Sequence, residues 1–342
     1  MNHSALVRNI AVTAFVLCLC VVVLGAYVRL SNAGLGCPDW PGCYGHLTPA
    51  AAAADAHTQA APLGGRVLNV GKAWREMVHR YAAGTLATLI IALAIMTALW
   101  RRERIVAPWY AAALAAVVVF QAVLGALTVT RQLKPAIVTS HLLFGFTTLA
   151  LLWWMVLTIW RRNRPAPDME SVPAERAALR RARRLALLGL CTLGAQIALG
   201  GWTSSNYAAI ACPDLPTCQG SWWPDADFRS AYVLWRDLDI DYTGGVLDNR
   251  ARIAIHLMHR IGALMTSVVM LLAMFAAWRL RQCPGARTAA RWLLAALLLQ
   301  LAIGSSMVLH GFPLWLATAH NAGAALLLLA TLGLYRSLLT DP

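Results

Sequence analysis

The chain has 342 residues, of which 59% are hydrophobic and 13% are charged. This composition excludes a soluble enzyme with a large core and indicates an integral membrane protein. A formal net charge of +14 would suggest a nucleic-acid partner in a soluble protein, but here the arginines flank apolar segments, where basic residues set membrane topology. We therefore expect a lipid bilayer as partner and no nucleic acid.

Eight apolar runs follow one another along the chain. A helix that spans a bilayer needs about 20 apolar residues. The first run follows Arg8 and resembles a signal peptide, but it lacks a small-x-small cleavage site and aligns with the fifth run, so we interpret it as a retained span. The predicted fold class is an all-α integral membrane protein with eight transmembrane helices. These lie near residues 10–30, 76–100, 107–130, 135–160, 185–205, 253–278, 292–310 and 313–336.

The distribution of charge predicts the orientation of these helices. With the N-terminus inside, the inner segments carry 17 of the 29 basic residues but only 5 of the 15 acidic residues. Basic residues are enriched in cytoplasmic loops, so both termini are predicted to be cytoplasmic.

The chain divides into two similar halves of four helices each. An even number of helices makes the halves run in the same direction, as parallel repeats related by an axis along the membrane normal. We predict an N-terminal four-helix bundle over 1–160, a cytoplasmic linker over 161–184 and a C-terminal four-helix bundle over 185–342.

Four histidines recur in the apolar runs, at offsets of 179 and 180 residues between the halves. Ionisable groups are costly inside a membrane, so this repeat indicates function. Two imidazoles from facing helices are what bis-histidine haem ligation requires, whereas two ligands per half are too few for a usual zinc site. Histidines that are merely hydrogen-bonded between helices remain the alternative. The four predicted axial ligands of haem iron are His79, His141, His259 and His320.

An arginine follows the first histidine of each half. Arg80 and Arg260 are predicted to lie near the outer water interface, where they are candidates for contact with haem propionates.

Paired cysteines precede the first histidine of each half, at an offset of 175 residues. The predicted topology puts both pairs on the outer, oxidising side, where disulfides persist. We therefore predict disulfides that close a short loop over each pocket, and a redox relay stays open. The cysteines are Cys37 and Cys43 in the first loop, and Cys212 and Cys218 in the second.

One position differs between the halves in an informative way. Glu76 lies one turn before His79, whereas His256 occupies the equivalent position before His259. Glu76 is either an exposed salt-bridge partner of Arg75 or Arg80, or a carboxylate beside a bound porphyrin that takes or gives a proton. The sequence predicts no role for His256.

These features together resemble the haem A synthase family of bacterial and mitochondrial membranes. The resemblance rests on Glu76-Met-Val-His79-Arg80, His141, His259-Arg260, His320 and the two cysteine pairs, and it covers the whole chain. It implies two four-helix bundles and oxidation of the C8 methyl group of haem O to a formyl group. The product, haem A, serves the assembly of cytochrome oxidases.

The resemblance also implies a role for each half. His259 and His320 would hold a haem B cofactor, His79 and His141 would bind the substrate haem, and Glu76 would be catalytic. Implied partners are haem O, a haem O synthase and a membrane electron acceptor of unknown identity, and a homo-oligomer stays open. The implied location is the bacterial inner membrane, with both haem sites toward the outer face.

Two other classes of protein compete with this interpretation. A diheme b-type electron-transfer cytochrome would also need four histidines, but it would stack its haems across the bilayer. A transporter with parallel repeats would show polar residues at the midplane and broken helices, and neither is evident in the sequence.

Overall fold

The computed structural model describes residues 3–55, 67–103, 105–161, 173–235, 240–280 and 284–339. Within these ranges the chain is helical apart from its loops and contains no β-sheet. Eight helices are long and apolar enough to cross a membrane, which confirms the predicted fold class. They are α1 (His3–Leu30), α2 (Val70–Leu99), α3 (Pro108–Thr130), α4 (Pro135–Arg161), α5 (Pro173–Ser205), α6 (Asn249–Trp278), α7 (Pro284–Leu309) and α8 (Leu314–Ser337).

Several helices begin before the apolar runs that predicted them. Asn69 caps α2 by accepting a hydrogen bond from the backbone N–H of Lys72 at 3.0 Å, so the helix starts one to two turns before Glu76. Asp248 caps α6 in the same way, accepting from Ala251 at 2.8 Å. Of the predicted linker 161–184, residues 162–172 lie outside the described ranges and 173–184 form the first turns of α5.

The helices of each half contact one another in the same pattern. In the first half α1 packs on α2 and α4, and α3 packs on α2 and α4. In the second half α5 packs on α6 and α8, and α7 packs on α6 and α8. Each set of four therefore closes into a ring, while the predicted orientation in the membrane and the division into two domains stay predictions.

The two rings meet through α1, α4, α5 and α8. The indole N–H of Trp153 on α4 donates to the carbonyl of Leu329 on α8 at 3.1 Å. At the other end of α4, the hydroxyls of Thr139 and Ser205 lie 3.3 Å apart. Arg29 at the end of α1 donates to the carbonyl of Ser204 at 2.9 Å.

The buried residues that form the apolar core recur at every third or fourth position along the helices. On α1 the fully buried side chains are Val7, Ala11, Ala14 and Cys18, and on α7 they include Ala286, Ala290, Leu293 and Leu297. This spacing places one stripe of each helix against its neighbours. Small residues in the stripes allow close helix packing in a membrane, and this close packing positions the histidines.

Candidate functional site

The predicted ligands lie on the even-numbered helices, one on each. His79 is on α2, His141 on α4, His259 on α6 and His320 on α8. All four residues are half-buried, yet the Nδ1 atoms of His79 and His141 are sealed from solvent. Polar atoms in such surroundings normally have a partner, so these two nitrogens need an explanation.

Each imidazole lies against a glycine of the helix that precedes it in the chain. A Cβ added at any of these glycines would lie 2.9–3.3 Å from the Cε1 atom of the histidine ring. No larger residue fits at these positions without moving the ring. The pairs are Gly25 with His79, Gly125 with His141, Gly200 with His259, and Gly304 with His320.

Glutamines one turn before three of these glycines contact the histidines. Gln196 Nε2 lies 3.1 Å from His259 Nδ1 and donates to the His259 carbonyl at 2.9 Å. Gln300 Nε2 lies 3.3 Å from both ring nitrogens of His320. Gln121 donates only to the carbonyl of His141, at 2.7 Å. These contacts were missed by the sequence analysis, although the recurrence of Gln121 and Gln300 at the same offset as the histidines pointed to them.

The separation of His259 and His320 would allow both rings to bind the iron of one haem. The ring centroids of His259 and His320 lie 6.4 Å apart, with 73° between the ring planes. A metal–imidazole bond of about 2 Å on each side, with each centroid about 1 Å behind its nitrogen, requires about 6 Å. The observed separation therefore allows both rings to bind one iron.

A disulfide loop lies against the helix that carries the first histidine of each half. Cys37 is bonded to Cys43 and Cys212 to Cys218, the pairs that the compartment argument predicted. In the first loop Asp39 accepts hydrogen bonds from the backbone of Tyr44 at 2.6 Å and Gly45 at 2.9 Å. In the first loop, Asp39 therefore holds the backbone of the residues that follow the second cysteine.

The second loop repeats this design with one addition. Asp214 accepts from the backbone N–H groups of Gln219 at 2.6 Å and Gly220 at 3.0 Å, and from the hydroxyl of Thr217. The Thr217 hydrogen bond, followed by that of Gly220, lowers the pKa of Asp214 from 3.8 to about 2.

The arginine after each first histidine binds the carbonyl groups of its disulfide loop. Arg80 donates to the carbonyls of Asp39 at 2.8 Å and Gly42 at 2.6 Å. Arg260 donates to those of Thr217 at 2.7 Å and Asp214 at 2.8 Å. Both guanidinium groups thus tie a loop to the helix that carries the histidine, and contact with haem propionates stays a prediction.

Glu76 takes part in the same network of hydrogen bonds between Arg80 and the first disulfide loop. Its carboxylate accepts a hydrogen bond from Cys37 N at 2.9 Å and forms an ion pair with Arg80 at 2.5 Å. The residue is only 4% exposed, so the pair is buried, whereas the salt-bridge interpretation from sequence assumed an exposed one. Glu76 therefore connects the first disulfide loop to the turn of α2 that carries His79.

His256 occupies the position equivalent to Glu76 in the second half, and it contacts the equivalent arginine. Arg260 Nε lies 3.3 Å from His256 Nε2, and His256 is 4% exposed. Its ring packs edge-on against Phe312, with centroids 6.2 Å apart. The second half thus lacks a carboxylate at this point while keeping the arginine.

Comparisons with known proteins cover nearly the whole chain. The family model of the cytochrome oxidase assembly proteins, COX15-CtaA, matches residues 8–332. The chain is 40% identical to the heme A synthase of Shewanella oneidensis over 91% of this chain and 90% of that protein. It is 30% identical to that of Rhodopseudomonas palustris, over 94% of this chain and 87% of that protein. With the heme A synthase of Paracoccus denitrificans the identity is 29%, over 94% and 84%.

Removing the two arginines is expected to have unequal costs. Arg80→Met leaves Glu76 buried without its ionic partner, and breaking such a pair costs about 3–5 kcal/mol of the free energy of unfolding. Arg260→Met removes hydrogen bonds to carbonyls and costs about 1–3 kcal/mol. Denaturant unfolding of the purified protein measures both values. Adding Glu76→Gln to Arg80→Met should recover part of the loss, and equal costs for the two arginines would contradict the buried pair.

The lowered pKa of Asp214 predicts how the stability of the second loop changes at acid pH. Its pKa is lower in the folded loop than in the unfolded chain, so the carboxylate contributes full stability above about pH 4 and loses it as the pH falls through about 2. Amide exchange at Gln219 and Gly220 should therefore lose protection over this interval. The Asp214→Asn variant serves as control, because its protection should not change over the same range.

Proposed function

The chain belongs to the COX15-CtaA family of cytochrome oxidase assembly proteins, and we propose that it is a haem A synthase. Its substrate is then haem O and its product haem A. The observation that carries the proposal is the nearly full-length match combined with four histidines, one on each even-numbered helix and each against a glycine of the preceding helix. A protein of eight apolar helices would perform this reaction within a membrane, and we assign it to the bacterial inner membrane with the sites toward the outer face.

The second pocket is the proposed site of a resident haem B. His259 and His320 would be its axial ligands, a role that their 6.4 Å centroid separation supports. Gln196 and Gln300 lie at hydrogen-bond distance from the two rings and would hold their orientation. When bound, haem B supplies a one-electron route out of the site.

The first pocket is the proposed site of the substrate haem. His79 and His141 would bind its iron, and Gly25 and Gly125 leave room for their rings. The reaction would oxidise the C8 methyl group of haem O to a formyl group, which makes the enzyme an oxidoreductase that acts on a methyl group. With water as the source of oxygen, converting the methyl group to a formyl group adds one oxygen atom and releases four electrons and four protons, so the proposal includes a membrane electron acceptor that takes these electrons. A haem O synthase would supply the substrate.

Glu76 is the proposed catalytic residue. It lies three residues before His79, on the same face of α2. Its two oxygens accept hydrogen bonds from Cys37 N and Arg80, so a carboxylate that can accept a proton is held between the loop and the turn of α2 that carries His79. The arginine and the disulfide loop position this carboxylate, and the second half has no equivalent acid.

The diheme electron-transfer cytochrome is not favoured. Its four histidines are equally present here, but the relatives that match over most of this chain are named heme A synthases.

The first test of the proposal is haem content. Removing an axial ligand should release the cofactor, so His259→Ala and His320→Ala are expected to lose haem B from the purified protein. His256→Ala, which removes a buried neighbouring histidine, is the matched control and should retain it. Mass analysis of extracted haem measures this, and stoichiometric haem B in both ligand variants would refute the assignment of the second pocket.

The second test separates the chemistry of Glu76 from its structural contacts. Glu76→Gln is expected to retain bound haem but to lower haem A formation about 100-fold or more, the usual contribution of an acid or base. Arg80→Met keeps the carboxylate but loosens the loop. If Arg80→Met lowers haem A formation as much as Glu76→Gln does, the role of Glu76 is only to hold the loop.

A further inference from the structure

We propose that Gln196 and Gly262 hold the His259 ring, whereas Val21 and Ala82 give the His79 ring no hydrogen-bond partner, so that the first pocket releases its haem and the second retains it. The inference deepens the proposed function and rests on it for the identity of the two haems. It concerns positioning residues, since none of the four would touch the iron.

The inference begins with the position one turn before each histidine-backing glycine. This position is glutamine on α3, α5 and α7, at Gln121, Gln196 and Gln300. On α1 the same position, four residues before Gly25, is Val21. A valine offers no hydrogen bond, so His79 lacks the partner that the equivalent ring has.

A second position differs together with the first. Gly262 on α6 lies against Gln196, and a Cβ at Gly262 would overlap Gln196 Oε1. The equivalent residue on α2, three after His79, is Ala82. The two equivalent positions are therefore glutamine and glycine in the second half, and valine and alanine in the first. The second half thus carries an amide where the first half has only methyl groups at the equivalent positions.

The hydrogen bonds to the rings also differ between the pockets, and for His259 and His79 the difference coincides with the exchange of glutamine for valine. Gln196 and Gln300 lie within 3.1–3.3 Å of ring nitrogens of His259 and His320. In the first pocket, Gln121 bonds to a backbone carbonyl instead, and within the described part of the chain Nδ1 of His79 and of His141 has no partner. A histidine that binds a metal through Nε2 carries a proton on Nδ1, and the amide oxygens of Gln196 and Gln300, which have no partner within the described part of the chain, are the atoms that can accept a hydrogen bond from it.

This contrast matches what the two pockets must do. A cofactor must stay bound through many turnovers, whereas a substrate haem must enter and its product leave. Hydrogen-bond partners of metal-binding histidines typically change metal affinity about 10-fold or more. Imidazoles without a hydrogen-bond partner at Nδ1 therefore favour exchange of the haem in the first pocket. Imidazoles with a glutamine at their ring nitrogens favour retention of the haem in the second.

Reciprocal exchange of the two residue pairs tests the inference. In Gln196→Val/Gly262→Ala, release of haem B should be about 10-fold faster, with release of haem O or haem A unchanged. In Val21→Gln/Ala82→Gly, release of haem O and haem A should be several-fold slower, with haem B unchanged. The full-length protein is mixed with excess apomyoglobin, and the haems that remain are identified by mass over time.

Two further variants separate the hydrogen bond from packing and folding. Gln196→Met keeps the length of the side chain beside Gly262 but removes the amide, so it should also speed haem B release and shift the low-temperature electron paramagnetic resonance signal of that haem. Ala82→Gly alone changes the space without adding an amide and should leave both release rates unchanged. A Gln196→Met protein with wild-type release and signal would overturn the inference.

The outcomes distinguish this inference from the proposed function. If haem A is formed normally but neither exchange alters release, the inference fails while the function stands. If the protein holds haem B in both pockets and forms no haem A, the proposed function fails. Faster loss from the second pocket in Gln196→Met would then still support the role of the glutamine.

Discussion

The close contact between each histidine and a glycine on the preceding helix is the constraint on which the site depends. Helices in a membrane gain little from apolar burial against one another, so they associate where small residues let their backbones approach. Here that approach is used to seat a polar ring. The same contact occurs four times, on α1–α2, α3–α4, α5–α6 and α7–α8, so the repeating unit of the site is a pair of helices.

Charged side chains connect each disulfide loop to the helix that carries the first histidine of its half. Arg80 and Arg260 each bind several carbonyls of a disulfide loop and stand next to a histidine in the chain. In the first half Glu76 completes the network as a buried counter-charge, and in the second His256 takes that place. A buried carboxylate needs its arginine, so the loop, the acid and the histidine of the first half behave as one unit.

Much of the fold could be predicted from the sequence because spanning helices need long apolar runs and leave little ambiguity. All eight runs are helices, and the repeated histidines were recognisable because charged or polar groups are rare there. The helix starts were less predictable, since Asn69 and Asp248 are polar residues outside the runs and act through their caps. The hydrogen bonds from the arginines to the loop carbonyls were not predictable, because only the path of each loop brings its carbonyl groups to the guanidinium group.

The amino-acid sequence by itself determined the eight spans, the two disulfide loops and the four histidines, because composition and repetition carry that information without any contact being known. Only the tertiary structure decided how these residues are held. It places Glu76 in a buried ion pair with Arg80, each imidazole on a glycine, and a glutamine amide at ring nitrogens of His259 and His320, whereas Gln121 bonds to the His141 carbonyl. The physical reason is that such contacts join residues from different helices, and their distances depend on how closely those helices pack.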